Sequence, residues 1–246
     1  MFHDATIKEG AFIISDAHYS VLHPELLEFI KEIHLKKLRP TQLILMGDIF
    51  DALFGYIPFT CKQNQELIDL FNAIAQEIEV IYLEGNHDFN LKQIFPHIRV
   101  VPIQEQPLTC KLEDGREVVL AHGDFDGSFG YRFYTRVIRN RYVLFFLKYI
   151  DIISKHAILR YVDSHLAKKD DCKELKGFIT FIQKRLADTY KYTLFIEGHY
   201  HQNKKIKYND FLYINLAAFA CNQRYFIVNS IKENELLKEK VFSKGM

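Results

Sequence analysis

Carboxylate, imidazole and carboxamide side chains recur in five short groups along this chain. Such side chains ligate metal ions and transfer protons during hydrolysis. One group alone is more typical of a turn or a helix cap than of a metal site, but five in succession are improbable by chance. The groups are, in chain order, Asp16-Ala17-His18, Gly47-Asp48-Ile49-Phe50-Asp51, Gly85-Asn86-His87-Asp88, His122-Gly123-Asp124 and Gly198-His199-Tyr200-His201.

A short apolar run precedes each group and has the length and β-branched composition of a buried strand. The runs are residues 12–15, 43–46, 80–84, 118–121 and 194–197. In a layered α/β protein, ligands bind at the carboxyl ends of the strands. We therefore expect the five groups to converge on a metal site.

The elements around these runs predict the fold class. Amphipathic helices over 26–33 and 67–78 separate the first three strands, which gives a β-α-β-α-β order. After Pro96 the pattern changes to hairpins with a turn at Asp114-Gly115, and further strands are expected at 192–196, 205–207, 211–216 and 225–228. The sequence thus predicts an α/β (α+β) protein with two sheets flanked by helices, in a single domain over residues 1–246.

The composition excludes several classes of function. The 246 residues carry a formal net charge of +1, which gives no overall attraction for nucleic acid. We expect no signal peptide and find no apolar run of about 18 residues, so the protein is expected to be soluble and cytoplasmic. The four cysteines are far apart and are expected to be reduced thiols rather than disulfides. They are Cys61, Cys110, Cys172 and Cys221.

An insertion at about residues 125–190 is rich in aromatic and basic side chains. Apolar residues from Tyr131 to Ile152 recur at three- and four-residue spacing, which predicts a strongly amphipathic helix. Two interpretations are open: an ordinary pair of core helices, or a helical cap that binds an apolar or membrane-resident substrate. The position of the insertion between two candidate ligand groups favours the cap.

The ligand types narrow the choice of metal. Carboxylate, imidazole and amide oxygen without thiolate suit Mn²⁺, with iron or zinc as alternatives. There are enough ligands for two ions about 3.5–4 Å apart, between which a hydroxide can attack phosphorus without a phosphoenzyme. Asp48 is the expected bridge. His87 is expected to stabilise the developing charge or protonate the leaving oxygen, and Asp88 or Asp51 to orient neighbouring imidazoles, so we assign His87 and Asp88 as catalytic.

The five groups closely resemble the motifs of the calcineurin-like metallophosphoesterases, from Asp16 to His201. The resemblance implies a two-sheet β-sandwich flanked by helices and a dimetal centre. It implies that one ion is bound by Asp16, His18, Asp48 and His201. It implies that the other ion is bound by Asp48, Asn86, His122 and His199, with His87 catalytic.

Within that superfamily the chain is most similar to the UDP-2,3-diacylglucosamine diphosphatases of bacterial lipid A biosynthesis. Its size, its opening Ser15-Asp16-Ala17-His18 and its insertion after the fourth group carry this resemblance. The resemblance implies Mn²⁺-dependent cleavage of the pyrophosphate to UMP and 2,3-diacylglucosamine 1-phosphate, at the cytoplasmic face of the inner membrane. One departure is His87, where the best-known branch has arginine, and it indicates a divergent branch or another subfamily.

The cap supplies the predicted substrate contacts. Its arginines are candidates for binding the pyrophosphate or the nucleotide, and the alternative is that they are solvated surface charges. Its aromatic residues are candidates for lining an acyl-chain pocket, and the alternative is that they only pack against their neighbours. The arginines are Arg132, Arg136 and Arg139, and the aromatic residues are Tyr131, Phe133, Phe145 and Phe146.

Three other functions are weighed against a lipid nucleotide substrate. A phosphodiesterase or phosphatase for a soluble nucleotide fits the ligand groups, but such a substrate gives the apolar cap nothing to bury. A metal-free binding scaffold is disfavoured because every ligand position is filled. A nuclease is disfavoured because the chain has no extended basic groove motif. We therefore expect a lipid nucleotide and the inner-membrane surface as partners, with no nucleic acid and the oligomeric state open.

Overall fold

Two six-stranded β-sheets form the centre of the protein, with a two-stranded sheet beside them. The computed structural model describes residues 5–157, 161, 172–186, 194–208, 210–230 and 235–243. The strands are β1 (Ala5–Ile7), β2 (Phe12–Ile14), β3 (Gln42–Leu45), β4 (Leu53–Phe54), β5 (Glu79–Leu83), β6 (Asp88–Phe89), β7 (Arg99–Val101), β8 (Leu108–Leu112), β9 (Glu117–Ala121), β10 (Leu194–Glu197), β11 (Lys204–Tyr208), β12 (Phe211–Asn215), β13 (Arg224–Val228) and β14 (Leu237–Val241). The helices are α1 (Glu25–His34), α2 (Pro58–Gln63), α3 (Gln65–Ile74), α4 (Phe129–Ile138), α5 (Arg141–Ile153), α6 (Phe178–Arg185) and α7 (Phe219–Asn222).

The strand order brings distant parts of the chain together. The first sheet has the order β14-β13-β2-β3-β5-β7, and the second has the order β1-β8-β9-β10-β12-β11. Strands β2, β3, β5 and β7 are parallel, as are β9 and β10, so their carboxyl ends point the same way within each sheet. The predicted hairpin is present between β8 and β9, and Gly115 at its turn has a φ of +87°, which glycine adopts without strain. The predicted fold class is confirmed.

The main core lies between the two sheets. Ile13 and Ile44 of the first sheet pack in one buried cluster with Leu120 and Ile196 of the second. Side chains on the other face of the first sheet pack against α1 and α3, and α6 covers the second sheet. Because both faces of the inner strands are buried, these strands have nearly continuous apolar sequences.

Two helices, rather than one, follow β9. They are separated at Asn140, whose side-chain oxygen accepts hydrogen bonds from the amides of Tyr142 (2.9 Å) and Val143 (3.4 Å) and so caps α5. The prediction of one helix over 131–152 is therefore wrong. In the described parts of the chain, no helix is both long enough and apolar enough to cross a membrane.

A disulfide joins Cys172 to Cys221, 49 residues further along the chain. The prediction of reduced thiols is wrong at these two positions, because Cys172, within the predicted insertion, lies beside α7. Cys61 is a free thiol, as expected, and Cys110 is buried in β8. The disulfide attaches this part of the insertion next to the first ligand group, since the amide of Ala220 in α7 donates to the carbonyl of Asp16 (3.2 Å).

Candidate metal centre

Five of the seven predicted metal ligands have a left-handed backbone. They are Asp16 (φ +50°), His18 (+44°), Asp48 (+50°), His199 (+64°) and His201 (+58°). For residues other than glycine this conformation costs on the order of 1–3 kcal/mol and is concentrated at functional sites. The left-handed residues follow directly after β2, β3 and β10. The turn at each of these places puts a potential ligand at the end of its strand.

The first group of potential ligands consists of Asp16, His18 and His201, whose ligand atoms all lie within 4.8 Å of one another. Asp16 Oδ1 is 3.1 Å from His201 Nε2. The amide of His199 donates to both oxygens of Asp16 (3.1 and 3.0 Å), which joins the turn after β2 to the turn after β10. Burial alone would raise the pKa of Asp16, but the adjacent His201 imidazole holds it well below its usual range. An ionised Asp16 carboxylate is suited to bind a cation.

The second group consists of Asp48, His122 and His199. Asp48 Oδ2 is 3.4 Å from His122 Nε2. His122 Nδ1 lies 2.8 Å from the carbonyl of Met46, so it donates there and leaves Nε2 to face the carboxylate. Burial lowers the pKa of His199 to about 3, which keeps its imidazole neutral as a ligand must be.

Unpaired polar atoms inside the centre fit bound cations. Asn86 Oδ1 and His122 Nε2 are buried and have no hydrogen-bond partner among the described residues. Together with the two groups, these atoms could hold two divalent ions. Bound ions would supply positive charge to the phosphoryl oxygens and lower the pKa of the attacking water. The ligand atoms of Asp48 lie with the second group, so its role as the bridge stays a prediction.

His87 lies on the side of the centre that faces α4 and α5, the two helices of the predicted cap. Its Nδ1 is 2.9 Å from the carbonyl of Asp51 and donates to it, which leaves Nε2 able to carry or release a proton. Nε2 lies 4.0 Å from Asp48 Oδ2. Asp51 Oδ1 is 3.6 Å from Nδ1 of both His18 and His87, so Asp51 is the carboxylate placed beside these imidazoles.

Asp88 has a different place from the one predicted. It is fully buried, and its carboxylate accepts hydrogen bonds from the backbone amides of Asp48 (3.1 Å), Ile49 (2.6 Å) and Gly85 (2.9 Å) and from the hydroxyl of Tyr82 (2.6 Å). Burial raises the pKa of Asp88 to about 6. The expectation that Asp88 orients an imidazole is therefore wrong, because its oxygens hold the main chain of two ligand turns, and its assignment as catalytic stays a prediction.

The predicted substrate-binding arginines divide into two kinds. Arg132 and Arg136 are exposed on α4. The side chain of Arg139 is only 4% exposed, and its Nη2 donates to the carbonyl of Gly85 (2.6 Å). Tyr131 is half-buried and donates from its hydroxyl to Asp124 Oδ2 (3.1 Å), beside the ligand His122.

A cavity of about 320 Å³ lies between the cap helices and the metal centre. Asn86 and His87 line one end of it. The rest is mainly apolar, and its lining includes Phe54, Ile57, Phe89, Tyr131, Tyr134, Ile138, Leu144 and Leu147.

Three aromatic residues predicted to line an acyl-chain pocket lie elsewhere. Phe133, Phe145 and Phe146 are 61%, 51% and 67% exposed on the other side of the cap helices. They do not line this cavity, because α5 turns Leu144 and Leu147 inward instead, and their part in substrate binding stays a prediction. The i, i+3 spacing of the two leucines was the available signal.

Sequence reasoning missed Arg185 at the end of α6. Its guanidinium makes two hydrogen bonds to Glu197 (2.7 and 2.8 Å), and its Nε bonds the carboxylate of Asp126 (2.9 Å). Tyr213 also donates to Glu197 (2.6 Å). Arg185 thereby attaches α6 to the chain just after the fourth ligand group and to the strand that precedes His199. No motif marks it, because its partners are distant in sequence.

The comparisons with known proteins agree with this site. A model of the calcineurin-like phosphoesterase family matches residues 11–203, which is well over half of the chain. The chain therefore belongs to the calcineurin-like phosphoesterases. The family's fold implies a dimetal centre, and the two groups described above supply its potential ligands.

The curated relatives are similar at low identity. The chain is 26% identical over 151 residues to a UDP-2,3-diacylglucosamine hydrolase of Pseudomonas fluorescens (strain SBW25), which covers 60% of each chain. It is 25% identical over 199 residues to the protein of the same name from Vibrio vulnificus (strain CMCP6), which covers 77% of this chain and 79% of that one. The chain thus spans about 60% of the length of the Pseudomonas fluorescens relative.

Solved structures with a similar fold include two phosphoesterases. A novel archaeal phosphodiesterase is 16% identical with a TM-score of 0.46, over 94% of this chain and 99% of that one. A dimetal phosphatase from Danio rerio is 12% identical with a TM-score of 0.47, over 90% and 93%. The family assignment rests on the family model rather than on these structures.

Proposed function

We propose that this protein hydrolyses the pyrophosphate bond of UDP-2,3-diacylglucosamine to UMP and 2,3-diacylglucosamine 1-phosphate. The observation that carries the proposal is the apolar cavity that begins at Asn86 and His87 and continues between α4 and α5. Its volume of about 320 Å³ is within the range of small-molecule sites, and its lining suits acyl chains. The names of the low-identity relatives support the same substrate class.

The side chains around the cavity suggest how the reaction would be divided among them. Two divalent ions, for which we propose Mn²⁺, would hold the phosphoryl oxygens at the two ligand groups. Water adds to phosphorus and the bond to the leaving phosphate oxygen breaks. His87 Nε2 faces the centre and would give its proton to that oxygen, while the carbonyl of Asp51 keeps the ring in place. The apolar cavity would exclude water around the acyl chains.

We also propose that the protein works at an anionic membrane surface. Several large apolar side chains on α4 and α5 point away from the cavity and are exposed, in a set we name the outer face of the cap. Its members are Phe129, Phe133, Tyr142, Phe145, Phe146 and Ile153. The exposed Arg132 and Arg136 lie on the same pair of helices. Aromatic residues beside cations are typical of surfaces that contact anionic lipid.

The test compares two substrates in the presence of Mn²⁺. Release of UMP from UDP-2,3-diacylglucosamine is measured beside hydrolysis of bis-p-nitrophenyl phosphate. We expect kcat/KM to be much higher for the lipid nucleotide. Turnover of the small diester alone would refute this substrate and leave a phosphodiesterase for a soluble compound.

A further inference from the structure

Arg139 is a buried cation at the junction between the cap and the metal centre. It is the residue that follows α4, and its side chain is 4% exposed. Its guanidinium lies over the ring of Phe89, with Cζ 5.2 Å from the ring centroid. A guanidinium removed from water in this way needs hydrogen-bond acceptors for its donors.

Arg139 is fixed by its main chain as well as by its side chain. Its Nη2 donates to the carbonyl of Gly85 (2.6 Å) and lies 3.5 Å from Asp124 Oδ2. Its own carbonyl accepts a hydrogen bond from Asn90 Nδ2 (3.0 Å). The end of α4 is thereby attached to the turn after β5, and the guanidinium cannot move into solvent without breaking these contacts.

The carbonyl that Arg139 binds belongs to a residue in contact with the metal centre. A Cβ on Gly85 would lie 2.2 Å from Asp48 Oδ1, so only glycine can pack against this carboxylate. Asn86, the next residue, supplies the unpaired ligand oxygen. The guanidinium is therefore held beside the centre, at the end of the cavity that Asn86 and His87 line.

One end of this guanidinium lacks an acceptor. Nη1 of Arg139 is buried and has no hydrogen-bond partner within the part of the chain that the structure describes. Arg139 also lines the apolar cavity. A buried donor without a partner is unfavourable, and a phosphoryl oxygen is the acceptor that a guanidinium pairs with best.

We propose that Arg139 binds a phosphoryl oxygen of the substrate at the cap side of the metal centre, and so selects substrates with an anionic group next to their apolar part. This inference rests on the proposed function and deepens it. It distinguishes Arg139, which is buried, from Arg132 and Arg136, whose side chains are exposed to solvent. The fixed cation would also retain the phosphate that stays with the acylated sugar after cleavage.

Binding of two small amphiphiles to the Mn²⁺-loaded protein tests this proposal. Isothermal titration calorimetry measures Kd for n-octyl phosphate and for uncharged n-octyl glucoside. Arg139→Gln is expected to raise Kd for octyl phosphate by roughly 10–100-fold, because it removes one charged hydrogen bond from a buried site. It is expected to change Kd for octyl glucoside less than about twofold. Arg139→Lys is expected to lie between the wild type and Arg139→Gln for octyl phosphate.

The matched control is Arg141→Gln. Arg141 belongs to the same cap, is exposed and donates to the hydroxyl of Tyr142 (2.7 Å), so its loss should leave both Kd values unchanged. Metal content and thermal unfolding of every variant are measured in parallel. If Arg139→Gln does not fold, Arg139→Lys carries the test.

Three results would overturn the proposal: no preference of the wild type for octyl phosphate, an unchanged Kd for octyl phosphate in both Arg139 variants, or an equal loss for both amphiphiles. The last result would make Arg139 a structural attachment of α4 only. Failure of the proposed function is a separate result. In that case octyl phosphate binding would depend on Arg139 while UDP-2,3-diacylglucosamine is not cleaved.

Discussion

The backbone amide of His87 donates a hydrogen bond of 2.8 Å to Oδ1 of Asp48. The proposed proton donor and the expected bridging carboxylate are thus joined through the main chain, although they lie in turns after different strands. A substitution at residue 87 removes the imidazole and keeps this amide. Metal binding and proton transfer can therefore be separated by mutation.

His87→Ala should retain the metal ions and lose activity. Because the leaving oxygen would no longer receive a proton from Nε2, we expect kcat to fall on the order of 10²–10⁴-fold. Steady-state kinetics with Mn²⁺ and metal analysis of the same preparation check this. Loss of metal in proportion to activity would instead make His87 a ligand.

Asp48→Asn should lower both metal content and turnover. The substitution keeps the size of the side chain but removes the negative charge that faces His122 at 3.4 Å. We expect fewer than two ions per chain and little activity at any Mn²⁺ concentration that saturates the wild type. Asp69→Asn, an exposed change on α3, is the control. Two bound ions with near-normal turnover in Asp48→Asn would contradict the bridging role.

Filling the cavity should discriminate between substrates. Leu147→Trp adds volume where acyl chains are proposed to bind. If the larger side chain displaces only two methylene groups of an acyl chain from the cavity, binding is weakened by about 1.6 kcal/mol, or roughly tenfold in affinity. KM for detergent-dispersed UDP-2,3-diacylglucosamine should rise by at least about that factor, with little change for bis-p-nitrophenyl phosphate. Ile150→Trp, on the exposed side of α5, is the control. An equal effect on both substrates would argue against an acyl-chain site.

The outer face of the cap should mediate binding to anionic vesicles. Replacing Phe145 and Phe146 by serine removes two exposed aromatic rings, and full burial of one such ring is worth about 1.5–3 kcal/mol. We expect at least about tenfold weaker flotation with phosphatidylglycerol vesicles. Turnover of detergent-dispersed substrate should be unchanged. Wild-type flotation that is equally weak with anionic and with zwitterionic vesicles would refute the proposed membrane contact.

Reduction of the Cys172–Cys221 disulfide should destabilise the protein. A disulfide that closes a loop of this length typically contributes about 2–4 kcal/mol to the free energy of unfolding. Urea denaturation of the wild type with and without reductant, beside Cys172→Ser, measures the difference. Thiol titration of the denatured, unreduced protein should find two free thiols. Four thiols would show that the bond does not form in solution.

The metal ligands could be predicted from sequence because each is a local feature. A strand and the polar residue that ends it are adjacent in the chain, so Asp16 after β2 or Asn86 after β5 is visible without tertiary information. Parallel neighbouring strands then bring such residues to one edge. This is why the seven candidate ligands could be named, and why the fold class followed from the same pattern.

The errors concern side chains whose direction depends on tertiary packing. Sequence periodicity predicted an amphipathic helix from Tyr131 to Ile152, but not that Leu144 faces the cavity while Phe145 faces away. Asp88 stands next to His87 in sequence, yet its carboxylate turns to the backbone of another turn. The partners of Arg185 and of Cys172 are distant in sequence, so no local pattern could indicate them.

The carboxylate of Asp88 also bears on the order in which the site assembles. It accepts hydrogen bonds from backbone amides of the turn after β3 and of the turn after β5, and none of these bonds requires a cation. Residues 47–50 and 85–88 therefore become one connected unit as soon as the two strands pair. We therefore expect ions to bind at an edge that is already folded, so that little of their binding free energy goes into ordering the chain. The protein without metal ions should keep these two turns folded, and the ions should bind after folding.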